Sequence, residues 1–446
     1  MAWRRYSLLL LGATVALIGA GVSLALRAQP PAARTTARRA TGNAQLKGRP
    51  ADSTTGRRHW VVAWAAGTQG PVDANLSSGG FRDQTLREIV VSSAQGSMIR
   101  VRVTNTFGTR FLRIGRVSVA RQLAGAGAQA KTRRMVTFEG RSSAVVAPGT
   151  TLVSDPVRFG MRPLSRLLIS IYLPTATGPA TEHRDARQIN YVARGDHALD
   201  VSGAAFAGKT GSWFFLAGID ALAPPRNYGA VVALGDSITD GLGSPVNANQ
   251  RWPNFLTRRL SMRKGRTLSV VDEGMGGNRV LDNSTCCGVS AVTRFASDVR
   301  GQASARIMIL LEGINDIGLA HRSLASPRAG SDRLTQRIIA AYQRIIRLAH
   351  AAGIKVFGGT LTPFQGALYW TPEGETIREA VNDWIRTSGT FDGVIDFARA
   401  TQAGFDSKRL APAYDSGDHL HLNAAGYRAM ANAVDVAALF RELSLP

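Results

Sequence analysis

Cysteine is almost missing from this chain. Of 446 residues only Cys286 and Cys287 are cysteines, so a disulfide framework and a four-cysteine zinc site are both excluded. The two are adjacent, with Cα atoms about 3.8 Å apart where ordinary disulfides need at least about 4.4 Å, so a bond between them is disfavoured and they read as packing residues. Long runs of like charge are missing as well. Residues 1–58 hold ten Lys/Arg against the single acid Asp52, and the other 388 residues spread 44 basic and 30 acidic residues thinly. The formal charge of +23 therefore favours anionic surfaces in general but does not define a nucleic-acid reader. No GxxxxGK[ST] loop, no GxGxxG opening a helix and no HExxH appears, and the absence of GxSxG argues against an α/β-hydrolase elbow. Internal repeats are also lacking.

What remains is a chain with a large core to bury. Hydrophobic residues make up 44% and charged residues 19%, which excludes general disorder and, at this length, suggests two folded domains plus tails. Arg4 and Arg5 precede an apolar run from Leu8 to Leu26, with Ser23-Leu24-Ala25 as a small-x-small cleavage pattern. Residues 1–26 are thus a signal peptide or a membrane anchor, and either places the rest outside the cytoplasm. No later segment is long and apolar enough to span. Residues 27–58 read as a basic flexible linker, either a tether to an anionic envelope or a solvated spacer.

From residue 59 to 223 the texture is all-β. Ile99, Val101 and Val103 alternate with Arg100, Arg102 and Thr104, and Leu167–Leu173 repeats the theme between Gly/Pro turns. The spacing predicts an antiparallel β-sandwich, jelly-roll-like. From 224 to 446 strands and helices alternate, which predicts a parallel sheet covered on both faces. Helices are expected at Arg251–Arg263, Ser290–Arg300, Leu334–Ala352, Glu373–Thr387 and Ala424–Leu439.

Four short blocks fall at strand ends or just before the last helix. They are Gly235-Asp236-Ser237, Gly274-Met275-Gly276-Gly277-Asn278-Arg279, Gly313-Ile314-Asn315-Asp316 and Asp418-His419-Leu420-His421. Singly each is an ordinary turn or cap. Jointly they supply a nucleophile, a base three residues from an acid, and donors for an oxyanion. In this order and composition they resemble the SGNH (GDSL-type) hydrolase family, over roughly residues 228–440. The resemblance implies a flavodoxin-like three-layer α/β domain. It makes Ser237 the nucleophile, His421 the base and Asp418 its orienting acid, with Ser237, Gly277 and Asn315 forming the oxyanion hole and no cofactor or metal. One departure stands out: Gly276 occupies a place where many members have Ser.

The β-rich stretch ahead of these blocks looks like a subgroup of exported acyl esterases, some associated with xylan breakdown. That implies a short acyl, acetyl first, on an extracellular glycan, with a small-molecule or polysaccharide ester as partner, no nucleic acid, and membrane association through the N-terminal segment as an option. A lipid acylhydrolase, a non-catalytic glycan-binding protein and a metal-dependent phosphoesterase using Asp236, Asp316, Asp418 and His421 are the competing readings. His59, His183, His197, His321 and His350 read as structural or exposed, His419 as too close to Asp418 in sequence to serve as the base, and Trp252 and Trp370 as packing residues.

Overall fold

The computed structural model describes residues 57–72, 75–320 and 327–444. The apolar run Leu8–Leu26, nearly all of the basic stretch and His321 lie outside them. Among the described residues no helix is long and apolar enough to cross a membrane.

The chain first builds two antiparallel sheets. One runs in the order His59–Ala65, Leu216–Ala223, Gly96–Thr104, Val157–Met161, with Thr151–Val153 also on Gly96–Thr104. The other follows Gly208–Thr210, Asn190–Arg194, Gln84–Val91, Arg166–Leu173, Arg116–Ala124, with Gly127–Ala128 and Arg134–Val136 on its last long strand. β-branched and aliphatic residues of both sheets, among them Val61, Val101, Val117, Ile169 and Ile171, share one buried cluster. The polar residues Arg102 and Thr104 that alternate with this apolar set are buried too. The α/β region covers that face: Arg102 donates to Gln302 Oε1 at 2.5 Å and lies 3.5 Å from Asp220. The backbone amide of Val62 likewise donates to Ala303 O.

The third sheet is five-stranded and wholly parallel, ordered Thr267–Gly274, Asn227–Gly235, Ala305–Leu311, Lys355–Gly359, Gly393–Ile395. This 2-1-3-4-5 order is flavodoxin-like, and its switch point lies beside the carboxyl end of Asn227–Gly235. Its strands are near-continuous apolar runs because helices cover both faces. The longest helix, Pro327–Ala351, turns Leu334, Ile338, Ala341, Tyr342, Ile345 and Ala349 inward at helical spacing. Two expected helices differ. Ser290–Arg300 is an α-helix only over Ala291–Phe295 and continues as a π-turn over Ala296–Arg300. Ala424–Leu439 is two helices, Ala424–Ala433 and Val436–Ser444. The break occurs because Asp435 accepts the Ala437 and Ala438 amides, the behaviour of a new N-cap.

A buried ion pair joins the two regions. His183 lies on Glu182–His183, in the β-rich part, with Nδ1 2.8 Å from Gly67 O and Nε2 3.2 Å from Asp240 Oδ1. Both ring nitrogens face acceptors, so the imidazolium fits the site. Burial works against that charge, but Asp240 outweighs it and holds the His183 pKa above its ordinary value. The stabilisation is therefore complete below about pH 6.5 and is lost as pH rises through the raised value. His183→Gln should cost about 3 kcal/mol at pH 6, and the gap to wild type should shrink by pH 9. Denaturant titrations of both proteins across that range check this, and a pH-independent gap would contradict it.

Candidate functional site

The Ser237 position is made by the sheet. Asn227–Gly235 ends and the chain turns at once into the short helix Ser237–Asp240, with Asp236 as N-cap accepting the Ile238 amide at 2.9 Å. Ser237 is thereby the first helical residue, held at the carboxyl end of a central strand. A second segment reaches it from 184 residues downstream: Ser237 Oγ lies 2.8 Å from His421 Nε2. The other imidazole nitrogen, Nδ1, is 2.6 Å from Asp418 Oδ2, while Asp418 Oδ1 accepts the backbone amides of His421 and Leu420. Partial burial tends to raise the Asp418 pKa, but these hydrogen bonds and the His421 charge outweigh it and hold the carboxyl well below the usual carboxylate range. An ionised Asp418 keeps the hydrogen on Nδ1, so Nε2 faces the hydroxyl as an acceptor.

His419 is turned elsewhere. It adopts φ +62°, and its Nδ1 pairs with Asp415 Oδ2 at 2.6 Å while the ring is largely exposed. The Asp418–His421 turn is locked behind it by a Ser416 amide donating to His421 O. Asn423 caps the following helix through Ala425 and Gly426.

The loop after Thr267–Gly274 brings in Gly277 at φ +73°, a conformation that disfavours any Cβ. Asn315, in the first turn of Ile314–Ala320, donates through Nδ2 to Asn278 O at 2.9 Å and accepts from Tyr369 OH at 3.2 Å. The tyrosine sets which way the amide points. Tyr369 was not singled out in the sequence because it sits in an irregular loop 54 residues beyond Asn315. Gly276 also acquires a reason. A Cβ there would stand 2.9 Å from Asp185 Oδ2 and 3.3 Å from an Arg184 nitrogen, the tips of two side chains that the β-rich region places over this loop.

Beneath these loops lies Arg294, buried. Its guanidinium donates to Gly235 O (2.8 Å), Glu273 O (2.6 Å), Asn278 Oδ1 (2.9 Å) and Asp298 Oδ2 (3.0 Å). Around it, burial pushes Asp236 up to about 7 and Asp316 up to about 6, the latter despite accepting the Val280 and Leu281 amides. Asp316 is thus a loop anchor, and Asp418 serves His421. Among the described residues no three His, Cys, Asp or Glu side chains gather as a metal site.

The cysteines correct the sequence reading, for they are bonded to each other. The turn allows it: Ser284 and Gly288 pair across its base, and Asn278 Nδ2 holds Cys287 O at 2.8 Å. Trp252, by contrast, is a packing residue, fully buried against Phe397.

Residues 233–429 match the GDSL-like Lipase/Acylhydrolase family. The chain carries a domain of that family. The chemistry class follows: the protein is a carboxylic ester hydrolase. Solved structures similar to it include a carbohydrate acetylesterase family member from Sinorhizobium meliloti (15% identity, TM-score 0.38, covering 48% of this chain and 99% of that one). Others are an acetylxylan esterase from Geobacillus stearothermophilus (19%, 0.34, 49% and 94%) and a GDSL-like lipase from Bacteroides thetaiotaomicron VPI-5482 (19%, 0.34, 48% and 88%). No curated protein matches the sequence.

The two histidines of the final block give the sharpest test of this esterase's geometry. His421→Ala should lower kcat for an aryl acetate by about 10⁶-fold, whereas His419→Ala should change it less than about tenfold, the ring being outside hydrogen-bond reach of Ser237. A dead His419→Ala with an active His421→Ala would reverse the assignment.

Proposed function

We propose that this protein is an exported serine esterase that removes short acyl groups, acetyl first, from an extracellular glycan. The observation that carries the reading is the unbroken line from Ser237 Oγ through His421 to Asp418. In this mechanism His421 Nε2 takes the hydroxyl proton as Ser237 Oγ bonds to the ester carbonyl carbon. The negative carbonyl oxygen is met by the Ser237 and Gly277 amides and the Asn315 side chain. The tetrahedral adduct collapses, the alcohol oxygen leaves with the proton from His421, and the acyl group stays on Ser237. Water then attacks with its proton going to His421, and Ser237 and the free acid are regenerated.

Two features support a glycan as the alcohol side. An open basin of about 370 Å³ is lined by Arg184 and Asp185, which adjoin Gly276, by Gln188, Lys209 and Thr210, and by the apolar Ile189 and Val246, a mix of polar tips and apolar faces that suits a sugar ring. We read the β-rich region as a jelly-roll-like sandwich that builds this rim, since its two antiparallel sheets share one buried core. Export rests on the Leu8–Leu26 segment. A lipid acylhydrolase is the second reading, favoured by Leu368, which is 90% exposed beside Tyr369.

Aryl acetate, butyrate, octanoate and palmitate separate the two. The account expects kcat/KM to fall from acetyl to palmitoyl, acetate to be released from acetylated xylan, and EDTA to have no effect. Ser237→Ala should lose about 10⁶-fold in kcat. An octanoyl or palmitoyl optimum would make the enzyme a lipid acylhydrolase, and a fully active Ser237→Ala would overturn the serine mechanism.

A further inference from the structure

The Cys286–Cys287 pair has no part in the proton and acyl transfers above, yet its contacts lead straight to the oxyanion donors. A Cβ built on Gly277 would stand 2.7 Å from Cys287 Sγ and 3.2 Å from Cys287 Cβ. The bonded sulfur therefore covers the bare face of the glycine. Gly277 has no side chain to anchor itself, and its left-handed φ must be imposed by its surroundings. The neighbouring Asn278 completes the connection. Its Nδ2 donates to Cys287 O (2.8 Å) and Val289 O (2.9 Å), and its own carbonyl accepts Asn315 Nδ2 at 2.9 Å. Both donors from outside the Ser237 turn, Gly277 and Asn315, are thus tied to the cysteine turn within one or two contacts.

The turn is held from the far side by the β-rich region. Gln69 Nε2 and an Arg184 nitrogen donate to Cys286 O at 3.1 and 3.0 Å. A bond between adjacent residues closes a small ring and removes freedom from the backbone it includes. A short turn that can neither rotate its sulfur away nor slip from Gln69 and Arg184 makes a fixed wall for a flexible glycine. Oxyanion donors need this placement, because an error of about 1 Å can cost about 100-fold in rate.

We propose that the Cys286–Cys287 disulfide is a positioning element for ester hydrolysis, holding Gly277 directly and Asn315 through Asn278. The inference rests on the serine-esterase reading. It also fits an oxidising compartment, where such a bond persists.

The test is clean because the chain has no other cysteine. Dithiothreitol delivers two electrons and two protons to the bond, giving two thiols while it cyclises to its own disulfide, and it has no second disulfide in this protein to act on. The full-length enzyme is compared oxidised, reduced and reoxidised, alongside a Cys286→Ala/Cys287→Ala variant, on an aryl acetate. Reduction and the double substitution should each lower kcat by about 10- to 100-fold, with KM within about threefold and the midpoint of the pH–rate profile unmoved, because His421 and Asp418 are untouched. Deuterium exchange should speed up at residues 276–281 and not in the sheets, and reoxidation should restore kcat.

A kcat within twofold of wild type in both the reduced enzyme and the variant would overturn the proposal and leave the esterase reading standing. Loss of activity with faster exchange throughout the molecule would also overturn it, by showing a role in stability only. An oxidised wild-type enzyme inactive on every aryl ester would overturn the esterase reading and this inference together.

Discussion

The Arg294 guanidinium is the interaction on which the rest of the site depends. It offers five N–H donors in a rigid fork, and the fold uses that geometry to bind together the carbonyls at the ends of two strands. Gly235 O and Glu273 O belong to adjacent parallel strands, and the segments leaving those strands carry Ser237 and Gly277. Its Nε fixes Asn278, whose backbone carbonyl receives Asn315. Three loops from three strands are thereby referred to one buried cation. The charge is balanced by Asp298 at 3.0 Å, while Glu312 lies 3.5 Å away with its carboxyl pushed by burial well above the ordinary range, toward the neutral acid. Taking away such a buried partner typically costs about 3–5 kcal/mol, so the residue is a structural requirement before it is anything else.

A second consequence concerns the β-rich region. It packs its sheet face against the α/β region, as the buried Arg102 records, and it sends a short segment, His183 to Arg187, toward the carboxyl ends of the parallel strands. His183 meets Asp240 in the nucleophile helix, Asp185 fills the space beside Gly276, Arg184 reaches the cysteine turn, and Arg187 donates to Ser244 O. The α/β half is therefore bordered on this side by side chains of the β-rich region. In the proposed glycan esterase this rim meets the alcohol part of the substrate.

The sequence was most legible where chemistry is compressed into a few consecutive residues. Ser237 follows a strand directly, Gly277 and Asn315 follow the strands on either side, and Asp418 and His421 share one turn, so each could be singled out without knowing the fold, and the structure brings them together. The parallel sheet was readable from apolar strands alternating with amphipathic helices. Less legible was whatever depends on contacts distant in sequence. Nothing local in the strand around Arg102 reveals which sheet face the later α/β region covers. Arg294 and Tyr369 act through partners up to 59 positions away, and no pattern in their own segments marks them. The cysteine pair was judged from Cα spacing, whereas a tight turn held by Asn278 brings the two sulfurs together. The last helix was read as continuous because Asp435 resembles any exposed acid until its side chain is seen accepting two amides.

The central claim is that Ser237, activated by His421, carries the acyl group during turnover. Rapid acid quenching of the enzyme with an activated aryl acetate, followed by peptide mass mapping, tests it most directly. The account predicts a single acetyl adduct on the peptide containing Ser237, formed in the Asp418→Asn variant more slowly than in wild type and absent from Ser237→Ala. An adduct on another residue, or ester turnover that persists in Ser237→Ala, would contradict it.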